Sequence, residues 1–277
     1  MDEKNKFVKI KNSIHLSKLL RYDAIKMSYM AKTAHLASSL SCIDIISVLY
    51  FSILNLSNKN KNNINRDRFI LSKGHAATAL YGALNYKGII SNNKIKNYTK
   101  KGSLLEEHPN PKLSGVEAAT GSLGHGLSIA NGLALGAKLR NKDFKIFVLM
   151  SDGECNEGSV WEACLFGAAN KLNNLIAIVD YNKWQATGKT KDILNLGSLT
   201  AKFKSFGWNT YEIDGHNHKQ ILTKLKLAKS NTKSPSVIIA NTIKGKGISF
   251  MEDNNNWHYR SPNYDELLKC KKELEIL

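Results

Sequence analysis

Four acidic side chains, Asp152, Glu154, Glu157 and Glu162, fall inside the segment SDGECNEGSVWEA (151–163) of a 277-residue chain whose formal net charge is +17. The run ahead of them, KIFVLM (145–150), reads as a short buried strand, and SVWEACLFGAANKL (159–172) reads as a helix. The acids therefore sit where a strand hands over to a helix. In a parallel sheet this is where ligands bind, because loops at the carboxyl ends of the strands lead into helix N-termini whose free N–H groups favour anions. The next strand, 175–180, runs into DYNKW, which places Asn182 thirty positions after Asp152 at the mouth of the neighbouring strand. A carboxylate and an amide oxygen facing one site suit Mg²⁺ or Ca²⁺ bound together with a phosphate, since Mg²⁺ takes few protein ligands and fills its octahedron with phosphate oxygens and water. Taken alone, the turn reads more readily as a set of helix caps, because Asp and Glu in a first turn meet the helix dipole favourably.

Other cation and nucleotide motifs fail on the same residues. An EF-hand loop starting at Asp152 would need Gly where Glu157 stands and a bidentate Glu where Ala163 stands. There is no GxxxxGK[ST], and GSLGHG (121–126) has its glycines in the wrong order for a dinucleotide fingerprint. Cys42, Cys155, Cys164 and Cys270 are scattered without a CxxC pair, which argues against a zinc ribbon and a disulfide framework and fits a reducing cytoplasm.

The elements that position these residues follow one grammar. Residues 12–54 carry apolar positions at helical spacing, with Ser41 as a cap; 68–71 is a short strand that turns at Gly74 into an Ala-rich helix from about 76. Helices at 124–139, 159–172, 199–206 and 219–229 then alternate with strands at 145–150, 175–180, 210–213 and 236–241. Short apolar strands alternating with helices predict an α/β fold, a doubly wound parallel sheet with helices on both faces. No composition break or Pro-rich linker divides it, so residues 1–277 read as one domain with a helical extension at about 1–60 and a polar C-terminal tail.

With 42% hydrophobic and 23% charged residues the chain is a folded one. It starts without a signal-peptide core, and its most apolar run, 42–54, is interrupted by Asp44 and is too short to span a bilayer, so a cytoplasmic protein without membrane contact is expected. The 40 Lys and Arg against 23 acids lie partly in Asn-rich stretches such as SNKNKNNIN (57–65). No basic helix, aromatic-interleaved strand or zinc-finger spacing accompanies them, so the excess reads as solubilising surface and not as a nucleic-acid site.

The company of the acidic turn decides how it is read. SDGECNEG followed after about thirty residues by DYNKWQ resembles the thiamine-diphosphate motif, which opens with Gly-Asp-Gly and closes with Asn. DRFILSKGHAATALY (67–81), EEHPNPKLSGVEAATGSLGHGLSIANGLALGAKL (106–139), DGHN (214–217) and NTIKGKGISFMEDNNNWH (241–258) narrow the resemblance to transketolases, in that family's order from His35 to His258. In full-length transketolases this region is the first half, which holds the diphosphate of the cofactor, so the chain looks like the N-terminal subunit of a split transketolase.

The resemblance implies a fold, an activity and a set of residues. It implies the thiamine-diphosphate-binding fold and transfer of a two-carbon ketol unit from a ketose to an aldose. Asp152, Asn182 and the main-chain carbonyl of Trp184 are then the ligands of Mg²⁺ or Ca²⁺, and Gly153 gives the diphosphate access to backbone N–H groups. His75 and His258 match histidines near the diphosphate and substrate, and His35 and His108 match those lining the substrate channel; His108 and His258 would handle substrate hydroxyl protons, which suits the pKa range of imidazole. Gly121 and Leu123 correspond to positions against the aminopyrimidine, and Glu157 and Glu162 to a carboxylate network between two active sites; ordinary packing for Leu123 and helix capping for Glu157 are the bland readings. His216 and His218 lack a third ligand and are left out of the site. The activating glutamate and the arginines that hold a sugar phosphate belong to the family's second half, which implies a partner chain in an α₂β₂ assembly.

Three departures stand out: Ser151 replaces the first glycine of the motif, and Ala34 and Ala37 replace glycines around the channel histidine. The rival readings are a 1-deoxyxylulose-phosphate synthase-like chain, a 2-oxo acid dehydrogenase α-like chain and a catalytically silent regulatory paralogue.

Overall fold

The computed structural model describes residues 3–276. Two helices open the chain, α1 (Glu3–Ala31) and α2 (Leu36–Val48), followed by β1 (Arg68–Leu71), α3 (Ala77–Tyr86) and a short α4 (Asn92–Lys96). Then come α5 (His125–Leu139), β2 (Ile146–Ser151), α6 (Gly158–Ala169), β3 (Leu175–Tyr181), α7 (Thr190–Ile193), α8 (Leu199–Ser205), β4 (Asn209–Asp214), α9 (His218–Ser230), β5 (Ser236–Asn241) and α10 (Tyr264–Glu273). The five strands form one parallel sheet in the order β1-β2-β3-β5-β4, so every strand delivers its carboxyl end to the same edge. The sheet is the one that the strand–helix alternation predicts.

Alternate strand residues feed the two faces, as a period of two requires. Phe147, Leu149, Ile176 and Ile178 join a core with α1, α2, α3 and α9, and Val148, Met150, Ala177 and Val179 join a second core with α5, α6 and α8. β2 is buried along its whole length and β3 along all but its last residue, the signature of central parallel strands.

Two regions differ from the sequence reading. The front helices are no outlying extension: all of α2 is buried, and it packs between α1, α3 and α9. Ser41 lies within α2 and is no cap; the N-cap position is held by His35, and the Ser41 hydroxyl reaches Asp180 Oδ2 at 2.6 Å. The helical run Leu36–Ile53 is long and apolar enough to cross a membrane, yet 89% of it is buried inside this fold. The polar tail forms α10, started by a reciprocal Asn263–Glu266 capping box and packed through Leu267, Cys270 and Leu274. Three apolar positions at helical spacing among charged neighbours suffice to dock it against α1.

Asp44 of α2 ties the front helices to the rest. Its carboxylate takes both amino groups of Arg21 from α1, Nδ1 of His216 at 2.8 Å and Nε2 of His218 at 3.0 Å. His216 Nε2 in turn accepts the Ile243 N–H, and Arg21 Nε donates to the Lys246 carbonyl, so the clamp grips segment 243–246 at both ends. The two histidines that sequence reasoning set aside are thus consumed by this clamp. Burial opposes ionisation of Asp44, but Arg21 beside it holds the carboxyl well below the usual carboxylate range. Replacing Asp44 by Ala strands the buried Arg21 guanidinium and is expected to cost roughly 3–5 kcal/mol in urea unfolding; a loss below about 1 kcal/mol, the scale of a surface pair, would contradict the clamp's role.

Candidate active site

The site edge is built around a fully buried ion pair. Lys73, two residues past β1, meets Asp180 near the end of β3, and neither side chain is exposed. Asp180 also accepts from Ser41 of α2, from Thr242 just past β5 and from Asn182 Nδ2 at 3.1 Å, while Lys73 donates to the Ser38 carbonyl at 2.9 Å. Burial pulls both groups toward neutrality, but each offsets it for the other: Lys73 stays above the ordinary lysine value and Asp180 below the ordinary aspartate value.

Four histidines from four segments converge beside this pair. The His35 ring centroid lies 5.5 Å from that of His75, 6.2 Å from His108 and 5.0 Å from His258, and His75 lies 6.2 Å from His258. His35 adopts a left-handed backbone (φ 66) and donates its N–H to the His258 carbonyl at 2.6 Å, which locks the start of α2 to the turn 255–258. Burial, then Lys73, holds His75 well below the usual imidazole range; burial, then His108, lowers His35; burial, then Lys244, takes His258 down to about 3. The Lys244 ammonium touches His258 Nδ1 at 3.0 Å and Asn255 Oδ1 at 2.6 Å, and burial lowers it to about 8. Three of the rings are therefore neutral at pH 7, and His258, accepting from Lys244 at Nδ1, carries its proton on Nε2.

Asp152 starts the turn after β2 and is completely buried. Its Oδ2 accepts the Lys183 N–H at 3.0 Å and the Thr190 hydroxyl at 2.7 Å, whereas Oδ1 has no partner among the described residues. Burial raises this carboxyl to about 6. A buried carboxylate oxygen without a donor is costly unless a cation meets it. Asn182 turns Nδ2 to Asp180 and Oδ1 to the Trp184 N–H at 3.0 Å. Trp184 pairs with Lys189 through bonds made by their neighbours, Gln185 N to Gly188 O and Thr190 N to Lys183 O, so the Trp184 carbonyl accepts no hydrogen bond among the described residues. These hard oxygens fit Mg²⁺ or Ca²⁺ in the presence of phosphate. Among the described residues no three His, Cys, Asp or Glu converge as a self-sufficient metal site. A cavity of about 550 Å³ opens beside Asp152 and Asn182 on the hairpin side, toward Leu199 and Thr242.

The other residues singled out by sequence divide into two groups. Gly121 packs on His108: a Cβ there would come within 2.9 Å of the ring, and its φ of +151° disfavours any side chain. Gly153 faces Gln185, which a Cβ would approach to 2.8 Å. Leu123 is half-buried. Glu157 and Glu162 are instead exposed, and among the described residues neither carboxylate takes a hydrogen bond or an ion pair. Glu157 holds the N-cap position of α6 without a capping bond. Glu154, to which the sequence assigns nothing, is fully buried and braces the site: Oε1 accepts from Ser72 and from the Gly124 N–H at 2.9 Å at the start of α5, and Oε2 from Ser151 N–H at 3.3 Å. Ser151, standing where the motif has glycine, accepts the Glu154 N–H at 3.2 Å and so belongs to the brace.

Sequence reasoning missed Lys73, Asp180, Lys244, Glu154 and Thr190. The available signal was a lysine beside glycine in SKGH and IKGK, but among 40 basic residues nothing marks those two as buried.

The family model described as transketolase, thiamine diphosphate binding domain, matches residues 10–276. An apulose-4-phosphate transketolase subunit of Phocaeicola vulgatus is 38% identical over 90% of this chain and 89% of its own. A 6-deoxy-6-sulfo-D-fructose transketolase subunit of Clostridium sp. is 40% identical over 79% of this chain and 80% of its own. The crystal structure of Campylobacter jejuni transketolase superposes with a TM-score of 0.88 at 31% identity, over 96% of this chain but 43% of that one. The chain thus spans less than half of that transketolase and most of the separate subunits. The family model, the shared fold and this pattern of coverage agree: the chain belongs to the transketolase family, as the thiamine-diphosphate-binding subunit of the two-subunit kind.

Proposed function

We propose that Asp152 Oδ1, Asn182 and the Trp184 carbonyl hold Mg²⁺ or Ca²⁺ against the diphosphate of the cofactor, with Gly153, His75, His258 and Lys244 around the phosphate oxygens. The observation that carries this reading is the unpartnered buried oxygen of Asp152 at the edge where the histidines and both buried lysines gather. When bound, thiamine diphosphate supplies the electron sink for cleaving a ketose and passing two carbons to an aldose. The protein's own part is orientation and proton handling. His258, with Nδ1 taken by Lys244, presents Nε2–H to a substrate oxygen; His35 and His108 line the approach, and Gly121 and Leu123 support the aminopyrimidine. A sugar or sugar phosphate is the expected substrate class, in the cytoplasm.

Glu157 and Glu162 are exposed and without a partner among the described residues at α6, which also exposes Leu165 and Phe166. This face is where a second subunit completes the site, supplying the activating glutamate, in an α₂β₂ assembly. Mixing this chain with that subunit, thiamine diphosphate and Mg²⁺ should give ketol transfer from a panel of ketoses that neither chain shows alone. Robust turnover by the isolated chain would contradict the two-chain reading. A complex that binds cofactor and never turns over a ketose would favour a silent regulatory copy.

The neutral state of His258 has a measurable consequence. Between its folded value of about 3 and the ordinary 6.5, the unfolded chain binds a proton that the folded chain does not. Unfolding free energy from this group therefore falls as pH drops below about 6.5. His258→Asn should lose less stability than the native chain between roughly pH 7 and pH 5 in denaturant unfolding; an equal or greater loss would show that this ring is not held neutral.

A further inference from the structure

The proposed cation ligands come from two separate pieces of chain. Asp152 follows β2, whereas Asn182 and Trp184 belong to the hairpin 182–190, and their relative placement has to be fixed by something. The Trp184–Lys189 pair is the hairpin's only bridge among the described residues, and Lys183, Thr187 and Lys189 are exposed. Its outer part is tied to segment 253–255, by Trp184 Nε1–H to Asp253 Oδ1 at 2.6 Å and Asn255 Nδ2–H to the Ala186 carbonyl at 2.9 Å, while its neck is anchored on Asp152: Oδ2 takes both Lys183 N–H at 3.0 Å and Thr190 Oγ1–H at 2.7 Å, and Thr190 N donates to the Lys183 carbonyl at 3.0 Å. The carboxylate is divided, one oxygen holding the hairpin closed and the other without a partner among the described residues.

We propose that Thr190 is a positioning residue for the cation site: its hydroxyl pins Asp152 Oδ2, which both fixes the rotation of the carboxylate so that Oδ1 is presented and holds the Trp184 carbonyl in register with it. This rests on the metal reading given above and adds to it. A cation held by Asp152 Oδ1 and the Trp184 carbonyl would stabilise the closed hairpin, and by reciprocity a closed hairpin would strengthen cation binding. Thr190 is the side chain through which the two are coupled, and at 8% exposure it does so away from bulk water.

The test is amide hydrogen exchange of residues 183–190 during a Mg²⁺ titration with thiamine diphosphate present, on the full chain alone and with its second subunit. In the native protein exchange should slow as Mg²⁺ is added. Thr190→Val, which keeps the shape and loses the donor, should need roughly tenfold more Mg²⁺ for the same protection, the scale of one hydrogen bond to a charged acceptor, while Thr190→Ser should stay within about twofold of the native chain. Thr190→Val with native Mg²⁺ dependence overturns the proposal, even if its melting temperature falls, since that outcome marks a structural role only. Asp152→Asn separates the two layers. If it weakens Mg²⁺ binding and Thr190→Val does not, Thr190 has no part in the site; if neither does, or if Mg²⁺ protects nothing in the native protein, the metal reading itself fails.

Discussion

A lysine and an aspartate with no exposure to solvent, Lys73 and Asp180, set the terms for everything at the working edge of the sheet. A buried pair of charges is expensive to desolvate and is tolerated only when its remaining donors and acceptors are met. Here they are met from every direction. Ser38 and Ser41 fix α2, Thr242 fixes the exit of β5, Asn182 fixes the exit of β3, and Lys73 itself fixes the exit of β1. Loosening any one of these leaves part of a buried charge unpaired, so the pair enforces the mutual placement of four chain segments. Its most specific effect is on Asn182: with Nδ2 committed to Asp180, the amide can present only Oδ1 elsewhere.

The same network explains the electrostatics of the histidine cluster. Lys73 and Lys244 stand close enough to disfavour a second positive charge, and burial acts in the same sense, so His35, His75 and His258 remain neutral donors and acceptors. Lys73 is matched by Asp180, whereas the Lys244 ammonium meets only neutral partners among the described residues, Asn255, His258 and the Gln185 carbonyl, and is complementary to a polyanion such as a diphosphate. The four acids of the opening motif then separate by environment. Asp152 faces the site, Glu154 is a buried brace that receives the Gly124 N–H ahead of α5, and Glu157 and Glu162 look outward at α6. One dense cluster in sequence becomes three structural roles, because a strand end, a tight turn and a helix point successive side chains in different directions.

Much of this was legible before the fold was known, and the limits have physical reasons. The strands were readable because central parallel strands are continuous apolar runs, and the four histidines that converge could be singled out because they sit in segments whose order resembles transketolases. α2 was readable as a helix but not as the centre of the domain: its serines look like a solvated stripe or a cap, and only tertiary packing shows that they serve Lys73, Asp180 and Thr78. α10 hid behind its charges. Asp180 read as the end of a strand, and Thr190 went unremarked, since neither burial nor a hydrogen-bond partner far along the chain leaves a local trace.

The edge built on Lys73 and Asp180 is proposed to present Asp152 Oδ1, Asn182 and the Trp184 carbonyl to a cation. The most direct measurement is anomalous X-ray scattering from crystals of the two-subunit complex grown with Mn²⁺ and thiamine diphosphate. One Mn²⁺ peak per copy of this chain is expected, within coordination distance of those three oxygens and of two phosphate oxygens, at about 2.0–2.3 Å. A peak coordinated by other residues, or cofactor bound at this edge with Asp152 Oδ1 making no metal contact, would contradict it.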